Sequence, residues 1–525
     1  MEYRQLSEME IEQLEKRGCI SESWEQVLVA PEFNAGSIRN VCFEGEVRIG
    51  SGVKMSNVGI IRTTDGATYG DDVLVSVKNE GGDGNVVLYS GLTSQMASLM
   101  IQNSENKEIF GKLREMITAY VEAKRPLSTT IGNNVTISDC RELTNVMIGD
   151  ECELCGCSRL IDCTLTPAPD ATIFIGDDVI CENVIAQPGA TIVDGARLYD
   201  TFVGEACHVG RGFTSENSLF FANSHMDNGE SCAALCGPFA VSHHKASLLI
   251  GGELSFYNAG SSTNFSNHAY KMGPIHYGTM ERGAKTASGA HILWPAQIGA
   301  FSMVMGKIQT HPDTSLLPFS YVIGEGRKTN VVPGRNLCTV GTYRDVMKWP
   351  KRDKRPQSSR KSLVSFDWLS PYVIERVKAG LRCLEEMQEE QGYDAAEYEG
   401  KGFTITASAL RHGIEYYNLA LRMYGNAGSA ASWTDLLGLL APTDAVDQIK
   451  EDILSGDIAT IEMLEGRFQD IFDSYQQWKG YSDNEGEMSE AYNEWLNAIR
   501  KDAEREYDLG DVSEEQITEF LESVK

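Results

Sequence analysis

The histidine residues of this chain are concentrated in one stretch that also carries Gly, Asn, Ser and aromatic residues at short intervals. Eight of the nine histidines lie between His208 and His311. A neutral imidazole, with a pKa near 6.5, can accept a proton at neutral pH or bind a metal ion. We therefore expect the chemistry of the protein within this stretch.

The candidate site residues form a discontinuous set within and around this block. They are Asn223, His225, His243, His244, Lys245, Asn267, His268, Tyr270, Lys271, His276, His291 and Trp294. Imidazoles could act as bases, whereas amide and ammonium groups could position a carbonyl or a phosphate. The alternative for any single histidine is a polar turn residue or a structural hydrogen-bond donor.

Metal binding is a rival use of the same histidines. His243 with His244, His268 with His276, and His291 with His311 could each join a carboxylate, and the candidate carboxylates are Asp227, Glu230 and Asp313. A second candidate zinc site is the group Cys152, Cys155, Cys157 and Cys163. The sequence does not decide whether a metal binds, nor which one.

The elements that must position these residues follow a six-residue period. Units such as Ile131 to Thr136, Ile148 to Glu153 and Val203 to His208 begin with an aliphatic residue that Gly follows, and the fifth residue is small or β-branched. This period fits a three-sided coil of short strands with aliphatic residues stacked inside. Cys152 and Cys207 occupy the fifth position, which favours core packing for both. An ordinary antiparallel β protein is the alternative.

A coil of this kind has about 18 residues per turn, so residues that far apart stack on one side. His225 and His243 are separated by that interval, and we expect them to lie one turn apart on the same side of the coil.

Helical patterns interrupt and follow the coil. Ser7 and Glu10 have capping-box spacing for a leading helix. Apolar residues from Phe110 to Tyr120 predict a helical insertion near residues 91–126. Stripes beginning at Val373, Leu410 and Ile461, and a capping box at Ser513 and Gln516, predict a helical C-terminal third.

These patterns predict a mainly β protein of four segments. A helix and lead-in occupy residues 1–35, the coil with its insertion residues 36–345, a basic linker residues 346–361, and an acidic α-helical domain residues 362–525. The basic segment could bind a phosphate of a coenzyme or nucleotide sugar, or could be a solvated linker or a partner of the acidic domain.

The repeated hexads resemble the hexapeptide-repeat acyltransferase-like superfamily, and the β-helix of sugar-nucleotide pyrophosphorylase C-terminal domains. That resemblance implies a left-handed parallel β-helix and a homo-oligomer, specifically a trimer. His311-Pro312-Asp313 and Lys348-Trp349-Pro350 also resemble an uncharacterised family of large hexapeptide-like proteins from Bacteroidetes-type bacteria, which brings no activity with it.

Two segments resemble motifs of sugar-nucleotide acetyltransferases. These are Lys245 to Gly251 and Asn267 to Gly273, in reversed order relative to that family and with Tyr270 one residue early. The resemblance implies that His268 is a general base, which His243, His244 and His276 support, and that a coenzyme A thioester is the acyl donor. γ-Class carbonic anhydrases place three histidines around a metal on the same fold, but their His-x4-His pair is missing here.

The charge and composition of the chain limit the classes of binding partner that we expect. The net charge of −29 opposes association with nucleic acid or anionic membranes. The N-terminal segment lacks the apolar core of a signal peptide, so we expect a cytoplasmic protein with reduced thiols.

The sequence therefore favours an acyltransferase acting on a sugar, nucleotide sugar or amino acid, a small-molecule substrate in each case. The alternatives are a non-catalytic sugar-nucleotide-binding or scaffold protein, and a His-ligated metalloenzyme.

Overall fold

The structure is a computed structural model that describes residues 2–82, 84–268, 275–425, 432–478 and 485–506, with Glu519 and Glu522. Within these ranges no helix combines the length and the apolar character needed to cross a bilayer. All thirteen cysteines lie within the described ranges, and each is a free thiol.

The chain divides into two compact units. Unit 1 comprises Met1–Ala246, Lys354–Ser362 and Ala459–Glu462, and unit 2 comprises Ser247–Asp353, Leu363–Ile458 and Met463–Lys525.

The helices of the described residues are α1 (Glu8–Lys16), α2 (Ser94–Gln102), α3 (Lys107–Lys124), α4 (Val340–Arg352), α5 (Pro371–Gln391), α6 (Ala407–Tyr424), α7 (Thr443–Ser455), α8 (Ile461–Trp478) and α9 (Glu485–Glu506). The strands of unit 1 are β1 (Arg4–Gln5), β2 (Ile20–Ser21), β3 (Val27–Val29), β4 (Ile38–Glu44), β5 (Val47–Ile49), β6 (Lys54–Arg62), β7 (Val73–Ser76), β8 (Asn85–Leu88), β9 (Thr129–Ile131), β10 (Thr136–Ser138), β11 (Glu142–Ile148), β12 (Glu153–Cys155), β13 (Arg159–Leu165), β14 (Phe174–Ile175), β15 (Ile180–Ala186), β16 (Thr191–Ile192), β17 (Arg197–Val203), β18 (His208–Gly210), β19 (Thr214–Phe220), β20 (His225–Asp227), β21 (Glu230–Cys232), β22 (Leu235–Cys236) and β23 (Val241–Ser242). The strands of unit 2 are β24 (Leu248–Ile250), β25 (Gly252–Leu254), β26 (Asn264–Ser266), β27 (Gly278–Met280), β28 (Lys285–Thr286), β29 (His291–Leu293), β30 (Gln297–Ile298), β31 (Met303–Ile308), β32 (Tyr321–Glu325), β33 (Lys328–Val332), β34 (Glu397–Gly400), β35 (Phe403–Thr406), β36 (Trp433–Leu436) and β37 (Leu439–Pro442).

Parallel pairing in unit 1 arranges the strands in three columns. The first column runs through β6, β10, β12, β14, β16, β18, β20 and β23. The second contains the first halves of β11, β13, β15, β17 and β19, ending at β21, and the third contains their second halves, ending at β22. The prediction of a large, mostly parallel sheet is confirmed, whereas the hexapeptide repeat and the left-handed winding stay predictions.

The bends between the second and third columns explain the Asn and Asp residues of the repeats. Asn183, Asp200 and Asn217 each occupy the middle of a seven-residue strand with φ of 52°, 46° and 49°. Asn and Asp tolerate this left-handed conformation better than other side chains with a Cβ. The Asn183 Nδ2 also donates to the Asp200 Oδ1 at 2.8 Å, so the bends are bonded from one coil to the next.

The predicted helices at the start and within the insertion are present. The Ser7 side chain caps α1 and the Glu10 carboxylate accepts from the Ser7 backbone N–H, which confirms the capping box. The insertion contains α2 and α3, and α3 buries Leu113, Met116 and Ile117.

Two segment boundaries differ from those expected. Parallel pairing already begins before residue 36, at β2, which pairs with β4, and at β3, which pairs with β5. The first part of the expected basic linker belongs to α4, because Val340, Tyr343, Val346 and Trp349 form a buried face and the basic residues fall at the helix end.

Unit 2 continues with short parallel pairs and then becomes helical. β24, β26, β29 and β31 pair in parallel, and β34 with β35 and β36 with β37 form antiparallel hairpins. α5, α6 and α8 cover the three predicted C-terminal stripes. The helix predicted from Ser513 lies outside the described residues.

Strand β17 offers a test of the packing inside unit 1. Leu198 is fully buried, whereas its neighbour Arg197 is exposed. We expect Leu198→Ala to lower the free energy of unfolding by about 2–5 kcal/mol, as buried leucine truncations do. Arg197→Ala should change it by about 0.5 kcal/mol or less. Urea unfolding followed by circular dichroism measures both, and equal effects of the two changes would contradict this packing.

Candidate metal centre

Two neighbouring strands of the first column bring histidines and a carboxylate together. β18 and β20 pair in parallel with His208 opposite His225 and Gly210 opposite Asp227. Adjacent strands lie about 4.8 Å apart, so residues in register on the same side stack directly. Residues 17 positions apart in sequence therefore become neighbours in space.

The side chains of these strands converge on the Asp227 carboxylate. The His225 Nε2 lies 3.0 Å from the Asp227 Oδ2, and the His208 Nε2 lies 3.3 Å from the Oδ1. The two imidazole rings are tilted by 39° with centroids 4.5 Å apart. One potential ligand atom from each of the three residues lies within 4.8 Å of the others.

The carboxylate is buried and only half satisfied. Asp227 is 2% exposed, and its Oδ1 makes no hydrogen bond, although the His208 Nε2 lies 3.3 Å from it. A buried polar group without a partner costs about 1–3 kcal/mol, and more when it is charged. A cation at this oxygen would offset that cost.

Gly210 leaves space beside the same atoms. A Cβ on Gly210 would lie 3.0 Å from the His208 Nε2, 3.1 Å from the Asp227 Oδ1 and 3.0 Å from the Val193 Cγ2. The missing side chain therefore opens a gap between two of the potential ligand atoms.

Further imidazoles extend the cluster beyond the three residues. The His243 ring centroid lies 6.1 Å from that of His225 and 4.2 Å from that of His244. Burial lowers the pKa of His208 and of His243, and the neighbouring imidazoles lower each pKa further. Both effects favour the neutral rings.

An arginine lies at the edge of the cluster. The Arg211 Nε is 3.5 Å from the Asp227 Oδ2, and its side chain is 66% exposed. The guanidinium group can therefore meet both the carboxylate and a molecule from solvent.

Several sequence candidates lie in or near this cluster. His225, His243 and His244 are brought together, as the expected stacking of His225 and His243 requires. Asn223 lies two residues before His225, and Lys245 is exposed beside His244.

The other candidates belong to unit 2. His268 is partly buried, and the backbone N–H of His276 donates to the carbonyl of Asn267 at 2.9 Å. His291 stands on β29, where burial and then Lys307 lower its pKa. Tyr270 and Lys271 lie outside the described residues.

Trp294 has a structural environment. Its side chain is fully buried against Phe265, with ring centroids 4.8 Å apart, and its Nε1 donates to the Ile250 carbonyl at 2.7 Å. This placement differs from that expected of a candidate site residue, because the indole is packed inside the core.

The rival metal clusters do not form in the part of the chain that the structure describes. His208, His225 and Asp227 are the group of three or more potential ligands found there. Asp313 instead bonds Lys401 at 2.8 Å. Cys152 and Cys163 are buried, which raises the pKa of each thiol to about 12.

Sequence reasoning missed His208, Gly210 and Arg211 as site residues. The signal that could have found His208 is its 17-residue separation from His225. We assumed 18 residues per turn, so this pair was not recognised. Asp227 was considered only as a partner of other histidines.

A separate cavity of about 470 Å³ lies in unit 2. Trp433, Tyr475 and Trp478 line it, and Arg467 at its edge pairs with Asp452 at 2.9 Å. Its lining is mainly aromatic and apolar and includes none of the candidate histidines.

Comparison with known families covers most of the chain. The sequence profile of a domain of unknown function, DUF4954, matches residues 3–55 and 48–388. The chain belongs to the DUF4954 family. A second domain of unknown function, DUF6819, matches residues 418–507. In this DUF4954 chain the histidine cluster lies within the family match.

Individual relatives are distant. An uncharacterized protein of Treponema pallidum (strain Nichols) is 22% identical over 497 residues, which cover 82% of this chain and 67% of that protein. A crystal structure of a putative acetyltransferase from Desulfovibrio desulfuricans G20 is 12% identical with a TM-score of 0.12, covering 59% of this chain and 73% of that one. At that TM-score the likeness carries no inference about activity.

Proposed function

We propose that this protein is a metalloenzyme whose divalent transition-metal ion is bound by the Nε2 atoms of His208 and His225 and by the carboxylate of Asp227. The observation that supports this most directly is the buried Asp227 Oδ1, which lacks a hydrogen-bond donor and faces the gap left by Gly210. Two imidazoles and one carboxylate are a ligand set used by catalytic zinc and by non-haem iron.

Three protein ligands leave coordination positions for substrate or water. A bound divalent cation would supply a Lewis acid for a carbonyl or phosphoryl oxygen. His243 is near the cluster but not one of the three ligands, so its ring is placed to accept a proton from an attacking nucleophile. The proposed reaction class is metal-assisted hydrolysis or group transfer.

Metal binding to purified, chelator-treated protein tests this proposal. We expect one high-affinity zinc site per chain by isothermal titration calorimetry. Asp227→Ala and His208→Ala should weaken zinc binding by at least about 100-fold, because even the loss of a supporting partner can cost that much. Gly210→Ala should also weaken it, since the added Cβ occupies the gap while every ligand remains.

Matched controls separate this site from other zinc-binding groups. Glu230→Ala removes an exposed carboxylate of neighbouring β21, and His412→Ala removes an exposed imidazole of α6. Neither should change zinc affinity. Absence of a high-affinity site in the wild type, or equal affinities in Asp227→Ala and Glu230→Ala, would refute the proposal.

Acyl transfer is a second candidate function, centred on His268 in unit 2. The Nδ1 of His268 is buried and has no hydrogen-bond partner among the described residues. A ring nitrogen of that kind could take a proton from an amine or hydroxyl of a sugar, nucleotide sugar or amino acid. A coenzyme A thioester would be the acyl donor and a left-handed β-helix the frame.

Thermal stability in the presence of acetyl-coenzyme A tests the second candidate. A ligand that binds the native state raises the melting temperature. We expect a rise in the wild type and in His412→Ala, and a smaller rise in His268→Ala. No rise in the folded wild-type protein, or the same rise in all three proteins, would argue against this function at His268.

A further inference from the structure

Two cationic side chains lie beside the candidate metal centre of a strongly acidic chain. Arg211 follows β18 in a turn, with φ of +52°, and directs its Nε towards Asp227. Lys354 approaches from a distant part of the sequence and is exposed. The net charge of the chain is −29, so its average composition does not explain two cations beside one cluster.

The segment that carries Lys354 is fixed to unit 1. We call residues 354–362 the strap. The buried Glu205 carboxylate accepts the backbone N–H of Lys361 at 2.6 Å and that of Ser362 at 2.8 Å, and it pairs with Arg355 at 3.4 Å. These bonds define the path of the strap on the coil.

The first residue of the strap lies beside the site. The Lys354 backbone N–H donates to the Asn223 Oδ1 at 2.9 Å, and Asn223 precedes His225 by two residues. Among the described residues no carboxylate forms an ion pair with the Lys354 ammonium group. The strap therefore holds an unneutralised cation near the histidines.

Both charges act on imidazoles of the cluster, in addition to the contacts that Lys354 makes with Asn223 and Arg211 with Asp227. After burial and the His225 ring, Lys354 contributes to the lowered pKa of His208. Arg211 contributes in the same way to the lowered pKa of His243, after burial and the neighbouring imidazoles. Neutralisation of Asp227 would account for the position of Arg211 but not for that of Lys354.

We propose that Arg211 and Lys354 together bind an oxyanion group, a phosphate or a carboxylate, of the substrate on which the metal centre acts. This inference rests on the proposed metalloenzyme function. Arginine and lysine donate charge-assisted hydrogen bonds to such groups. The buried ion pair of Glu205 with Arg355 acts through the strap and positions Lys354.

Calorimetric titration of zinc-loaded protein with inorganic phosphate and, separately, with acetate tests the inference. We expect the wild type to bind at least one of them. Lys354→Gln and Arg211→Gln should each weaken that binding on the order of tenfold, the effect of losing one hydrogen bond to a charged group. The two titrations show whether phosphate or carboxylate is preferred.

The matched control is Lys54→Gln. It removes one exposed cation of strand β6, and thus the same net charge as either test variant, away from the cluster. Anion affinity should remain that of the wild type. An equal loss in this control would mean that only net charge matters, and would overturn the inference.

Zinc affinity, measured on the same proteins, separates this inference from the proposed function. The first case is that both the wild type and Lys354→Gln bind zinc. If the wild type then binds neither anion, or if Lys354→Gln binds the anion as tightly as the wild type does, the oxyanion site alone is overturned. Failure of the wild type to bind zinc overturns the metal centre and this inference with it.

Discussion

The register between parallel strands is the constraint on which the candidate site depends. His208 stands opposite His225, and Gly210 opposite Asp227, because one coil of the backbone separates β18 from β20. A shift of one residue would turn one strand's side chains to the other face. The hydrogen-bonded ladder that stabilises the coil therefore also sets the distances between the imidazoles and the carboxylate.

Because the Asp227 carboxylate is buried, this geometry favours the binding of a cation. Asp227 is removed from water, yet only its Oδ2 has a hydrogen-bond donor among the described residues. Glycine at position 210 leaves the other oxygen facing a gap instead of a side chain. The same coil positions the strap through Glu205, so the positions of the candidate ligands, the gap and the nearby cations all follow from one framework.

Periodic features of the sequence predicted the framework better than the site. The capping box at Ser7 and the helical insertion depend on local spacing, and each has its counterpart in the structure. The pairing of His208 with His225 depends on the length of one coil, which is 17 residues there and 16 between His225 and Val241. A uniform coil length of 18 residues predicted that His243 lies near His225, but it did not predict that His208 does.

Contacts between remote segments could not be predicted from spacing. The strap reaches Glu205 across about 150 residues, and its basic composition alone also fits a solvated linker. The gap beside Gly210 arises because glycine has no side chain. A search for patterns of reactive residues therefore does not find it.

X-ray absorption spectroscopy of protein loaded with one equivalent of zinc tests the central claim most directly. The account predicts a first shell of nitrogen and oxygen ligands at about 2.0–2.2 Å, with the multiple-scattering signal of two imidazoles. Sulfur ligands at about 2.3 Å would place the zinc on cysteine thiolates and contradict a centre formed by His208, His225 and Asp227.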